Sequence, residues 1–128
     1  ALLALVSFLP RLIAQLRQGP KMAAAELYQN EDKVVILDVR SEADFVGEQG
    51  HIAGAINIPV EELAQRSDEL AASRESPIAI VCRTDVRSTK AAILLGKQGF
   101  SRVQVVRNGM TAWNEAGYEV VEQGGSDS

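Results

Sequence analysis

Three short apolar runs recur along the chain with helical patterns between them, and that alternation restricts the fold more than any other feature. Val34-Val35-Ile36-Leu37, Ile78-Ala79-Ile80-Val81 and Val103-Gln104-Val105-Val106 are almost entirely β-branched or aliphatic. Such runs read as strands buried on both faces, because a half-exposed strand alternates with polar residues. A shorter stretch, Ala55 to Ile58, stops at Pro59 and reads as a further strand. Helical patterns fill the intervals: Ala23 to Gln29, Glu61 to Ala72, Ser88 to Gln98 closed by Gly99, and Met110 to Ala116 closed by Gly117. Ser41, with Asp44 three positions on, has the pattern of a capped short helix. Strands separated by helices predict an α/β domain with a mainly parallel sheet and helices on both faces.

In open sheets of this kind ligands bind beyond the carboxyl ends of the strands. That edge should therefore gather Asp38 and Arg40, then Cys82 to Ser88, then Arg107-Asn108-Gly109. Cys82 is the only cysteine, and Cys82-Arg83-Thr84-Asp85-Val86-Arg87-Ser88 joins a strand to a helix. A helix start offers unpaired N–H groups and partial positive charge, both favourable to an anion. Such surroundings lower a thiol from its usual pKa of about 8.5. A lone cysteine is more often a small buried apolar residue. Arg83, Arg87 and the helix start favour instead an exposed, reactive thiolate.

The remaining composition narrows the chemistry. One cysteine excludes an internal disulfide and any Cys-rich metal site. With His51 as the single histidine, a zinc site is not expected, and no cofactor is implied. A formal net charge of −4 gives no sign of a nucleic-acid partner, since such proteins carry basic patches. A chain of 128 residues is one domain with a core of its own. The lone thiolate suggests reducing, cytoplasmic surroundings.

Residues 1–18 stand apart. Leu2, Leu5, Leu9, Leu12 and Leu16 form an apolar helical stripe, and Arg11, Arg17 and Lys21 follow an uncharged start. This segment reads as an extra N-terminal helix that packs on the domain, mediates self-association, or is the remnant of a membrane anchor on the cytoplasmic face. It is too short to span a bilayer by itself, which takes about 20 apolar residues. Residues 19–122 form the main domain, and 123–128 read as a disordered tail.

Leu37-Asp38-Val39-Arg40, followed by Gly50-His51-Ile52-Ala53-Gly54-Ala55-Ile56-Asn57-Ile58-Pro59, resembles the first signature of rhodanese-like sulfurtransferase domains. Gly109-Met110-Thr111-Ala112-Trp113, with Ala116-Gly117-Tyr118, is similar to their closing signature, and the cysteine loop lies between. The resemblance runs from about Met22 to Val121. It implies a five-stranded parallel sheet flanked by helices, and a loop whose amides point at the sulfur of Cys82. It also implies that Cys82 takes a sulfane sulfur from an anionic donor such as thiosulfate and passes it on from a persulfide. On this reading Arg83 and Arg87 neutralise the donor, and the N–H groups of Arg83, Thr84, Asp85, Val86, Arg87 and Ser88 hold the sulfur. Asp38 and Arg40 form a bracing ion pair, or Arg40 meets the substrate. His51 is expected to make a structural hydrogen bond, because a thiolate attacks without a general base. Trp113 is expected to anchor the core.

Asp85 departs from the family pattern, since related loops often carry glycine there. Asp tolerates the positive φ that glycine would supply, and it would put a negative charge at the mouth. Asn108 likewise stands where relatives have glycine and tolerates the same conformation. Two other function classes compete. Phosphatases and arsenate reductases of this fold place five residues between Cys and Arg; here four intervene, a smaller cradle. A non-catalytic binding module would keep the fold without the chemistry. With no second cysteine, an acceptor must come from outside: a small thiol, cyanide or a partner protein.

Overall fold

A computed structural model describes residues 21–122, and in it the apolar runs are strands. Strand β2 spans Val35–Asp38, β4 Ile78–Val81 and β5 Val103–Val106, with the short β3 at Ile56–Asn57. A fifth strand, β1 at Lys21–Met22, was not legible in the sequence. All pairings within the sheet are parallel, and the order across it is β1-β5-β4-β2-β3. The helices are α1 (Ala24–Asn30), α2 (Glu42–Phe45), α3 (Val60–Arg66), α4 (Val86–Lys97) and α5 (Gly109–Glu115).

Strand parity sorts the core into two layers, because successive side chains point to opposite faces. Leu37, Val39, Ile78, Ile80 and Cys82 face Leu63 of α3 and Ala91 and Leu95 of α4. Ile36, Ala79 and Val81 face Leu27 of α1 and Met110 and Trp113 of α5. Helices therefore cover both faces, and β4 is buried at every position. Trp113 is the anchor expected of it, buried with Nε1 donating to the Glu119 carbonyl at 2.9 Å.

Two helix boundaries differ from expectation by more than one residue. The helix from Glu61 breaks after Arg66 and continues as a 3₁₀ turn over Ser67–Ser73. Ser67 and Asp68 compete with the backbone for hydrogen bonds and are poor helix-interior residues. Helix α4 starts at Val86 and not Ser88, so Arg87 and Ser88 belong to its first turn. The proposed N-terminal helix of 1–18 and the tail of 123–128 lie outside the described residues. Among those described, no helix is long and apolar enough to cross a membrane.

Candidate active site

Because every strand runs the same way, the residues following β2, β4 and β5 meet on one edge. Cys82 continues the inward parity of Ile78 and Ile80, so its side chain points into the α3/α4 layer. Only 1% of the residue is exposed. This corrects the expectation of an exposed sulfur in a cup of amides. The Sγ donates to the Thr84 carbonyl at 3.0 Å and lies 2.8 Å from the Oγ of buried Ser88. No loop N–H is hydrogen-bonded to it among the described residues. A neutral thiol is a donor, and the Thr84 carbonyl is the acceptor within its reach.

The loop around Cys82 is divided by chemistry. Its carbonyl oxygens are all engaged: Cys82 O accepts from Met110 N at 2.8 Å, and Arg83 O from Thr111 N at 3.2 Å and Thr111 Oγ1 at 3.0 Å. Thr84 O takes the thiol, and Asp85 O takes Thr89 N at 2.9 Å. By contrast, the N–H groups of residues 83 to 88 have no acceptor among the described residues. Three of them, at Val86, Arg87 and Ser88, are the unpaired donors of the first turn of α4. A run of unpartnered amides at a helix start is suited to an anion.

Helix α5 holds the loop from behind. Gly109 has φ +38°, and a Cβ there would fall on the Cys82 carbonyl oxygen and within 3.0 Å of the Thr84 oxygen. Only glycine lets α5 approach closely enough for Met110 N to reach Cys82 O. The sequence pointed to Gly109 as a turn residue; its close approach to Cys82 depends on a contact 27 residues away and was not visible. Asn108 does adopt a left-handed conformation, at φ 57°.

Asp85 behaves differently from the expectation. Its φ is −117°, so no glycine-like conformation is needed; it sits in the helical basin that leads into Val86. Its carboxylate turns toward β5 and β1, with Oδ1 accepting from Asn108 N at 2.7 Å and Oδ2 lying 3.6 Å from Lys21 Nζ.

Asp38 and Arg40 form a buried pair. Arg40 donates from Nε and Nη2 to the Asp38 carboxylate, at 3.0 and 2.8 Å. Two further donors reach the carbonyls of Gly50 at 2.7 Å and Asp44 at 3.2 Å. Asn57, which sequence reasoning passed over, donates to the carbonyls of Asp38 and Arg40 at 3.0 and 2.9 Å. Of the two readings for Arg40, the bracing one matches this geometry. His51 Nδ1 donates to Phe45 O at 2.7 Å, and its ring stacks on Phe45. It lies 1% exposed, and neither nitrogen is among the hydrogen-bond partners of the sulfur.

The cations and carboxylates of the rim complete the site. Arg83 is exposed, and it lines a depression of about 350 Å³ with Asp44, Gly47, Glu48 and Gln49, over buried Arg40. Arg87 reaches from α4 toward α2, its Nη1 3.7 Å from Asp44 Oδ2. Ser41 Oγ accepts from Asp44 N at 3.1 Å, the expected cap. Among the described residues no group of His, Cys, Asp and Glu could hold a metal ion.

Comparisons with known proteins bear on the family and the fold. The Rhodanese-like domain family model matches residues 22–116. The uncharacterized protein YqhL of Bacillus subtilis is 37% identical over 81 residues, covering 63% of this chain and 61% of its own. The chain thus spans about three fifths of that relative's length. Thiosulfate sulfurtransferase GlpE of Shewanella oneidensis is 37% identical over 83 residues, 65% of this chain and 78% of GlpE. The crystal structure of a rhodanese-related protein from Thermoplasma volcanium superposes with a TM-score of 0.75 at 33% identity. It covers 82% of this chain and all of that one.

Proposed function

The chain belongs to the rhodanese-like domain family, and from that premise we propose that it is a sulfurtransferase carrying a sulfane sulfur as a persulfide on Cys82. The observation that supports this most is the asymmetry of the Cys82 loop, with its carbonyls engaged and the N–H groups of 83 to 88 free. That arrangement is preorganised for negative charge next to a single sulfur.

The resting thiol donates to Thr84 O. When its proton leaves to solvent, the thiolate can no longer donate and is repelled by that carbonyl oxygen. The Ser88 hydroxyl, 2.8 Å away, then donates to the sulfur, which turns toward the free amides. The thiolate attacks the outer sulfur of thiosulfate. One S–S bond forms, the other breaks, and its electron pair leaves with sulfite. The charge on the persulfide's outer sulfur rests among the loop N–H groups, while Arg83 and Arg87 face the departing dianion. An external thiolate or cyanide then attacks the outer sulfur, and Cys82 leaves as thiolate. The chemistry uses no cofactor. Thiosulfate enters this proposal from the resemblance and from a relative's name.

One observation favours a second reading. Cys82 is buried in an apolar cluster, as it would be in a binding module that has kept the residue for packing. The experiment that decides is intact-mass measurement after incubation with thiosulfate or a small-molecule persulfide, followed by gel filtration. Gain of one sulfur atom, absent in Cys82→Ser, is the expected result. No gain from either donor would leave the binding module as the better description.

A further inference from the structure

The rim of the Cys82 site carries a negative charge where an anionic donor should dock, and it does not come from Asp85. Asp85 faces Asn108 and Lys21. The carboxylate beside the donor cations is that of Asp44, 3.7 Å from the Arg87 guanidinium. Sequence reasoning used Asp44 only as the third residue of a capped helix.

Its backbone is fixed in place. Ser41 Oγ accepts from Asp44 N at 3.1 Å, and Asp44 O accepts from Arg40 Nη1 at 3.2 Å and from Gly47 N at 3.1 Å. Arg40 in turn is locked onto Asp38. The buried pair thereby sets α2 so that the Asp44 carboxylate overhangs the first turn of α4. Arg87 is the cation of that first turn, one residue before Ser88, whose hydroxyl touches the sulfur. Any donor that uses Arg87 must share it with Asp44 or displace Asp44 from it.

We propose that Asp44 is a specificity-determining residue: it occupies Arg87 in the resting site and disfavours small free dianions relative to donors of lower charge. The donor class that this rim accepts best is a persulfide on a thiol-bearing molecule, whose transferable sulfur carries a single negative charge. A dianion such as thiosulfate brings a second charge close to the Asp44 carboxylate, and like charges juxtaposed at a binding site disfavour the wrong partner. Glu48 lines the same depression and adds to the effect from further along the rim.

This inference rests on the sulfurtransferase reading for its consequence and for its turnover test, but not for its binding test. Asp44→Asn keeps the size of the side chain and removes the charge. In turnover, the ratio of kcat/KM for thiosulfate to kcat/KM for a small-molecule persulfide should rise roughly fivefold, mainly through a lower KM for thiosulfate. Raised salt should shrink the gain, because both groups are partly exposed. In an Arg87→Ala background the gain should largely disappear, which marks Asp44 as acting through Arg87.

A binding arm separates this idea from the function itself. Thiosulfate affinity of Cys82→Ser, measured by calorimetry with and without Asp44→Asn, needs no sulfur transfer. Tighter binding by roughly fivefold with Asp44→Asn supports the inference even if the wild-type protein never gains a sulfur atom. Unchanged affinity, or an equal change of both donors in turnover, overturns it.

Discussion

Arg40 and Arg87 stand on the same edge of the sheet, and each faces an aspartate, yet their surroundings are opposite. Arg40 and Asp38 are both 1% exposed and joined by a forked contact, while Arg87 and Asp44 are 34% and 53% exposed at 3.7 Å. The buried guanidinium has four of its five N–H donors committed to Asp38, Gly50 O and Asp44 O. The rim guanidinium is one-third exposed, and its one ion-pair contact among the described residues is the longer 3.7 Å approach to Asp44. Burial thus separates a scaffold arginine from a solvent-facing one, although the two have the same chemistry.

The comparison breaks most directly at Arg40. Arg40→Ala leaves the Asp38 carboxylate buried without its partner and strips a donor from two carbonyls. A loss of about 3–5 kcal/mol is expected, read from urea unfolding midpoints. Replacing both residues by apolar ones of similar volume should recover much of that loss, because the unpaired charge goes too. If Arg40→Ala changed thiosulfate KM strongly while stability held, Arg40 would be a ligand residue and the contrast would fail.

The opposite pattern is expected at Arg87. Arg87→Ala should shift stability by less than about 0.5 kcal/mol, since exposed pairs contribute little. Its kcat/KM for thiosulfate should fall roughly tenfold or more, through loss of a charge-assisted contact. An unfolding midpoint displaced as far as that of Arg40→Ala would show that the rim pair is structural after all.

A third cluster, fully at the surface, sharpens the scale at its weak end. Arg66 donates to Glu69 at 2.7 Å and to Glu62 at 3.0 Å along α3 and the turn that follows. The Arg66 hydrogen bond holds the Glu69 carboxyl below its ordinary range. A depressed folded pKa means that the stabilisation is present above the unfolded value and lost as pH falls through the folded one. The loss therefore belongs to acid conditions below the usual glutamate range. An NMR titration of Glu69 should give a midpoint below that of a free glutamate, returning toward it in Arg66→Ala. Solvent screening should keep any accompanying change in unfolding small.

Legibility in the sequence followed the range of the interactions involved. Ile78 to Val81 and Val103 to Val106 were found at their observed boundaries, because burial on both faces writes itself as a continuous apolar run. Strand β1 was missed: two residues, one of them Lys21, make no pattern until the open edge of β5 pairs with them. The Ser41 cap was legible because its partner lies three residues away. That Asp85 would serve Asn108, and Asp44 would meet Arg87, was not, since both contacts join separate units of the chain.

Apart from the short β1, the order of strands and helices, and with it the edge where polar residues gather, was settled by the sequence itself. Hydrophobic period and turn residues act over a few neighbours, so a linear reading captures them. The family signatures added sulfur transfer as the chemistry expected at Cys82, a residue that already stood out as the only cysteine. Tertiary structure alone decided what each charged group faces, and that the Cys82 thiol rests on the Thr84 carbonyl while the loop N–H groups stay without acceptors among the described residues. These outcomes depend on distances of a few ångströms between segments far apart in the chain. Electrostatics and hydrogen bonding change steeply over such distances, and no local pattern encodes them.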